Sequence, residues 1–117
     1  MIKIVIDYKL SNWNDTIKYN RIDKYVGARE KKREMNIIKL FLLNTPKIEK
    51  YPIKINCYWH TTNMGRDLDN MSLKAVLDEM QELEILKNDN CKCINEINHK
   101  VVRDIKDFLI MEIEDNE

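Results

Sequence analysis

Hydrophobic and polar residues alternate in two stretches of the chain, and each stretch predicts a β-strand. In residues 2–8, isoleucine stands at positions 2, 4 and 6, and residues 53–60 alternate Ile, Ile, Cys and Trp with Lys, Asn, Tyr and His. A period of two places alternate side chains on opposite faces of a strand. Two further strands are predicted at 91–102 and 108–114, with a polar turn at 103–107 between them. We expect these last two strands to pair antiparallel because they are close in sequence.

Two other stretches repeat their hydrophobic residues every three or four positions, which is the period of an amphipathic helix. The first helix follows Gly27 and runs to about Leu43, with a basic first half and a buried second half. The second helix has Asp69 or Asn70 as its expected N-cap. The hydrophobic positions are Met35, Ile38, Phe41 and Leu42 in the first helix, and Leu73, Val76, Leu77 and Met80 in the second.

The element order β-α-β-α-β-β predicts a small α/β (mixed α+β) fold. Two helices can cover one face of a small mixed sheet, so we expect both on the same face. Residues 10–24 are polar and irregular, and they predict a long connection of the kind that is often functional. The 117 residues fit a single domain, 1–117.

Composition and charge narrow the classes of function. The hydrophobic share of 44% can build a core, and no run of about 18 apolar residues predicts a membrane span. Asp7 comes too early for a signal peptide, so a cytoplasmic location is expected. The formal net charge is +0, so a nucleic-acid partner would have to meet positive charge on a local surface or in an oligomer.

Three aspartates are the candidate site for chemistry. Asp67 and Asp69 stand two apart before the second helix, and Asp89 follows that helix. Carboxylates are the ligands that Mg²⁺ prefers, and a divalent cation can activate water and neutralise charge in phosphodiester hydrolysis. Lys74 lies four residues after Asn70 on the polar helix face, where its ammonium could reach a phosphate. For the three acids to meet, the chain after the helix must fold back along the sheet.

Simpler roles exist for the same residues. An aspartate at the start of a helix is often a cap that interacts favourably with the helix dipole. Lys74 and Asp78 are spaced as an ordinary surface ion pair. Both alternatives stay open on composition and spacing alone.

The three cysteines, Cys57, Cys91 and Cys93, predict reduced thiols rather than a disulfide framework. Cys91 and Cys93 with His99, and with Cys57 and His60 on another strand, could suggest zinc. Structural zinc sites, however, usually pair two knuckles of wider spacing. A Cys-x-Cys on a strand equally suits burial. His60 and His99 are expected to be structural or surface residues.

Several spaced motifs resemble the RusA family of Holliday-junction resolvases, and most of all its phage-borne branch. They are residues 67–70 (Asp-Leu-Asp-Asn), Lys74, residues 77–78 (Leu-Asp) and residues 86–90 (Leu-Lys-Asn-Asp-Asn). In the amino-terminal half, residues 10–15 resemble the asparagine-bearing loop of the family, and residues 25–32 resemble the basic helix start of the phage branch. The resemblance therefore spans nearly the whole chain.

The resemblance implies a homodimeric endonuclease of mixed α/β fold that acts in DNA recombination and repair. Such enzymes use Mg²⁺, or Mn²⁺ in its place, to nick two strands symmetrically at a four-way DNA junction. A phage-encoded member would act in the host cytoplasm. The matching positions are Asp67, Asp69 and Asp89 for the metal-binding acids, Lys74 for the catalytic lysine, and Asn70 and Asp78 for supporting residues.

The chain departs from the family pattern at three positions. Lys74 stands one residue farther from Asn70 than in the better-known members. The paired acids of the family are Asn88 and Asp89 here, and a glycine common after the helix is Glu84. The last change weakens the expected glycine C-cap but does not touch the chemistry.

With the resemblance, the basic residues of the amino-terminal half and of the central loop are predicted to contact DNA. The alternative is a solvated helix face, because Glu30 and Glu34 are interleaved with the basic residues. A second functional hypothesis is a branched-DNA-binding protein without catalysis, and a nuclease for flaps or forks is a variant of the first. The predicted DNA-binding residues are Asn14, Lys18, Arg21, Lys24, Arg29, Lys31, Lys32 and Arg66.

Overall fold

In the described part of the chain, two α-helices and four strands follow one another in the predicted order. The computed structural model describes residues 1–12, Lys18, Arg21 and residues 24–117, with the backbone alone for residues 24 and 25. The mixed α+β class is therefore confirmed. The elements are β1 (Ile2–Ile6), α1 (Lys24–Leu42), β2 (Ile53–Thr61), a short 3₁₀ helix (Leu68–Asn70), α2 (Lys74–Glu82), β3 (Ile94–Arg103) and β4 (Phe108–Asp115).

The strands form one sheet in the order β1-β4-β2-β3. β4 runs antiparallel to both β1 and β2, whereas β2 and β3 run parallel. The prediction that the last two strands pair with each other is wrong, because β2 separates them. The burial patterns give the reason: β4 alternates buried with half-buried residues, as a central strand does, and β3 is exposed over most of its length.

One face of the sheet carries the hydrophobic core. Along β2 every second residue is buried and the residues between are half-buried, as the alternating sequence predicts. Both helices bury hydrophobic residues in the same cluster, so they lie on this face, as expected. The helical contributors are Ile38 and Leu42 from α1, and Val76, Leu77 and Met80 from α2.

The first helix begins earlier than predicted. α1 starts at Lys24 instead of after Gly27, and Lys18 and Arg21, placed in the predicted connection, are also helical. The rest of that connection lies outside the described residues. Phe41, predicted to face the core, is 37% exposed, whereas Glu34 is buried and accepts a hydrogen bond from the Ser11 backbone N–H at 2.7 Å.

The second helix begins later than predicted. Its N-cap is Leu73, so the expectation of Asp69 or Asn70 is wrong. The chain first closes a 3₁₀ turn, in which the N–H groups of Asn70 and Met71 donate to the carbonyls of Asp67 and Leu68. That turn uses the backbone groups around Asp69, and residues 71–73 separate it from α2. The third strand likewise begins at Ile94 rather than at residue 91.

Glu84 ends α2 in the left-handed conformation, with φ of 60°. Its N–H donates to the Gln81 carbonyl at 3.0 Å, and the Ile85 N–H donates to the Met80 carbonyl at 2.9 Å. These two bonds define a Schellman C-cap, the position at which glycine is usual. A residue with a Cβ therefore occupies a backbone conformation that glycine adopts more readily.

We expect Glu84→Gly to raise the free energy of unfolding by about 1 kcal/mol, because glycine adopts positive φ without the Cβ penalty. Urea denaturation followed by circular dichroism measures the change. Glu84→Ala is the control, since alanine keeps the Cβ and should leave stability nearly unchanged. A less stable glycine variant would show that the Glu84 side chain stabilises the cap.

Within the described residues, no helix combines the length and the hydrophobicity needed to cross a membrane.

Candidate functional site

Two exposed carboxylates stand between β2 and α2. Asp67 is the N-cap of the 3₁₀ helix in an extended conformation, and its side chain makes no capping hydrogen bond. Asp69 lies inside the same short helix, and both residues are exposed. Asn70 closes the turn and is half-buried. The two acids therefore present their oxygens to solvent from one short segment.

Lys74 is the first residue of α2 and its side chain is 60% exposed. Its Nζ lies 3.7 Å from Oδ2 of Asp78, one helical turn later. The surface ion pair considered from the sequence is thus formed in this structure. Residues 71–73, which separate Asn70 from Lys74, lie outside both the 3₁₀ helix and α2.

Asp89 lies at the opposite end of the sheet from the other two acids. It precedes Asn90, whose carbonyl accepts the N–H of Ile94 at the start of β3. Asp67 instead follows the end of β2. Because β2 and β3 are parallel, their first residues lie at one end of the sheet and their last residues at the other. The nine residues of β2 separate these two ends by roughly 26 Å. The chain after α2 therefore does not fold back far enough to bring Asp89 to Asp67 and Asp69 within one chain.

Metal-ligating side chains are not gathered elsewhere in the described part of the chain. Among those residues, no group of three or more His, Cys, Asp or Glu is arranged to hold a metal ion. Cys57 and Cys93 are buried and Cys91 is exposed, all as free thiols. Burial raises the pKa of Cys57 to about 12, which opposes the thiolate form that zinc requires. The described residues of a single chain therefore bring together neither the three predicted magnesium ligands nor a group of cysteines and histidines.

A polar network that the sequence did not predict lies at the end of the sheet where β2 ends. Nδ1 of His60 is 2.9 Å from Oδ2 of Asp104, and a guanidinium nitrogen of Arg66 is 3.4 Å from Oδ1 of Asp107. Hydrogen bonds from the Ile105 backbone and from His60 lower the pKa of Asp104. The sequence showed only a polar turn there, because the parallel pairing that brings it beside β2 leaves no local signal.

Asp107 also anchors the loop that leads to Asp67. The backbone N–H and the hydroxyl of Thr62 each lie 3.3 Å from its carboxylate. Burial raises the pKa of Asp107, but hydrogen bonds from Thr61 and Thr62 outweigh that effect, and the pKa is lowered overall. Arg66, whose side chain is 14% exposed, is held between Asp107 and Thr61. Arg66 therefore positions the loop, and its guanidinium is less available to DNA than the sequence suggested.

Both histidines have structural contacts. Trp59 donates its indole N–H to Nδ1 of His99 at 2.9 Å, and burial lowers the pKa of His99. His60 stacks on the Phe108 ring at a centroid distance of 4.2 Å. Both imidazole rings therefore contact side chains of neighbouring strands.

The basic residues of α1 form an exposed surface. Arg29, Lys31 and Lys32 are exposed, as are Lys18 and Arg21 in the preceding helical positions. Lys24 belongs to α1, and Asn14 lies outside the described residues. An open groove of about 470 Å³ runs along this surface, and its described lining is Arg29, Lys32, Arg33, Asn36, Ile37 and Leu40.

The acidic residues interleaved with that surface are partly withdrawn from it. Glu34 is buried and bonded to the Ser11 backbone, so its charge does not lie beside the basic groups in solvent. Glu30 remains near Arg33, with a nitrogen to oxygen distance of 3.6 Å. The exposed charge of this helix face is therefore more positive than its sequence indicated.

No family model matches this chain, and no curated protein matches its sequence.

Proposed function

We propose that this chain is a metal-dependent endodeoxyribonuclease that resolves four-way DNA junctions. In this proposal a homodimer cuts two strands symmetrically by phosphodiester hydrolysis, with Mg²⁺ or Mn²⁺ as the cofactor. The observation that carries the proposal is the packing of basic α1 against α2, the helix preceded by the exposed carboxylates Asp67 and Asp69. A surface for phosphates thereby lies on one helix, and a pair of hard oxygen donors lies just before the helix packed against it.

The homodimer is needed for more than symmetry. Asp89 is separated from Asp67 and Asp69 by the length of the β2–β3 pair in one chain. A second copy in antiparallel orientation would bring its own Asp89 to the end of the sheet that carries Asp67 and Asp69. We therefore propose that each site takes Asp67 and Asp69 from one protomer and Asp89 from its partner.

The second candidate is a branched-DNA-binding protein without catalysis. The ion pair between Lys74 and Asp78 favours it, because an occupied lysine and a pair of exposed acids also suit a structural helix start. In that case the basic surface of α1 carries the function alone. Flaps and replication forks are the other branched substrates to compare.

A cleavage assay on synthetic DNA separates these functions. Purified protein is incubated with a four-way junction, a flap, a fork and a linear duplex, each with Mg²⁺ and with excess EDTA. We expect paired nicks at symmetric positions of the junction in Mg²⁺ and none in EDTA, because the exposed acids hold no cation after chelation.

The other outcomes are equally clear. Retention of the junction in a gel without any nicking would support the binding protein. Preferential cutting of flaps or forks would keep the nuclease and change its substrate. A protein that neither binds branched DNA nor cuts it in the presence of metal would contradict both candidates.

A further inference from the structure

Strand β3 is an open edge of the sheet. It is 10 residues long, and among the described residues only β2 pairs with it. All six residues from 95 to 100 are exposed, and Ile97 is 39% exposed although it is hydrophobic. A long edge strand presents unpaired backbone N–H and carbonyl groups, to which a further strand can bind.

The side chains of β3 on the open face of the sheet have a symmetric charge pattern. Glu96, Asn98 and Lys100 stand opposite Lys54, Asn56 and Tyr58 of β2, so they share one face. An acid thus lies two residues before Asn98 and a base two residues after it. Such a pattern complements itself when a copy is rotated by 180° about Asn98.

We propose that β3 pairs antiparallel with β3 of a second copy, about a two-fold axis at Asn98. In an antiparallel pair, residues directly opposite each other lie on the same face with Cβ atoms about 5 Å apart. Glu96 of each copy then faces the partner's Lys100, which forms two equivalent ion pairs, and the two Asn98 side chains lie side by side. The two four-stranded sheets become one sheet of eight strands.

The charge pattern selects this register over its neighbour. A shift of one residue would bring side chains from opposite faces together, which the pleat does not allow. A shift of two residues centres the axis on His99 and places Glu96 against the partner's Val102, so both ion pairs are lost. Charges on an edge strand often block association, but here the opposed charges have opposite signs and favour it.

This pairing deepens the proposed function, which relies on a homodimer, although the interface itself does not depend on DNA. The antiparallel arrangement sets the end of β3 beside the start of the partner's β3. Asp67 and Asp69 follow the neighbouring end of β2, and the partner's Asp89 precedes the partner's β3. The edge pairing therefore supplies the orientation that a shared site requires.

Sedimentation equilibrium with charge variants tests the interface. The wild-type chain should have twice its 14.1 kDa mass. Glu96→Lys and Lys100→Glu each place like charges opposite each other twice, and each should raise the dissociation constant at least about tenfold. The double variant restores opposite charges and should return the constant to within about threefold of the wild type. Glu49→Lys, a charge reversal at an exposed position outside β3, is the matched control and should leave the dissociation constant unchanged.

A disulfide measurement tests the register. In a Cys91→Ser background, Asn98→Cys should form a covalent dimer on mild oxidation faster than His99→Cys, with circular dichroism confirming that each variant is folded. A monomeric wild-type chain, unchanged single charge variants, or faster coupling at position 99 would overturn the proposed pairing. A paired dimer that cuts no DNA contradicts only the proposed nuclease, and an active nuclease insensitive to these charges contradicts only the pairing.

Discussion

Asp69→Asn is expected to abolish cleavage of a four-way junction and to leave junction binding intact. Asparagine keeps the size of the side chain but removes the charge that attracts a divalent cation. Because Asp69 is exposed, the fold should not depend on its carboxylate. A cation supplies several kcal/mol to phosphodiester hydrolysis, so the cleavage rate should fall by roughly 10³-fold or more.

Binding gives this prediction its specificity. The loss of one negative charge near the phosphates should keep the junction affinity the same or raise it, which a gel shift in EDTA measures. Glu49→Gln is the matched control, because it neutralises an exposed acid outside both helices and should cleave normally. Wild-type cleavage by Asp69→Asn in Mg²⁺ would exclude Asp69 from the site.

A mixture of two inactive variants is expected to recover cleavage. If each site takes Asp69 from one protomer and Asp89 from its partner, a dimer of Asp69→Asn with Asp89→Asn has one intact site and one site that lacks both acids. Random exchange makes about half of the dimers mixed, so about a quarter of the sites should be intact. Those dimers should nick one strand of the junction instead of cutting two.

The same mixture distinguishes a shared site from a site formed within one chain. In that case every site of the mixed dimer lacks one acid, and no cleavage returns. The variants are unfolded together and refolded so that the protomers exchange, and each variant treated alone is the control. Absence of recovery, with mixed dimers verified by affinity capture through a tag carried by only one of the two variants, would contradict the shared site and leave the proposed DNA-binding surface of α1 untouched.

The local elements of this protein follow from the sequence. The alternation of Ile53, Ile55, Cys57 and Trp59 predicted β2 and its buried face, because the side chains of a strand change face at every residue. The three-to-four spacing in the second helix predicted the buried face that includes Val76, Leu77 and Met80. Periodicity is a property of neighbouring residues, so it survives without knowledge of the fold.

The helix ends were less predictable. Asp69 has the chemistry of a helix N-cap, yet a 3₁₀ turn closes around it and α2 begins at Lys74. Glu84 takes a backbone conformation that favours glycine, because the packing of Met80 and Ile85 fixes the turn. Local conformational preferences of about 1 kcal/mol are smaller than the free energy gained by burying such side chains.

The arrangement of the candidate site belongs to the tertiary structure. The resemblance to a known family predicted that Asp67, Asp69 and Asp89 form one site. Within one chain, however, the parallel pairing of β2 with β3 keeps Asp89 at the opposite end of the sheet. The same pairing created the contact between Arg66 and Asp107, 41 residues apart. Which strands become neighbours depends on burying the whole hydrophobic face at once, and that long-range choice leaves no periodic trace in the sequence.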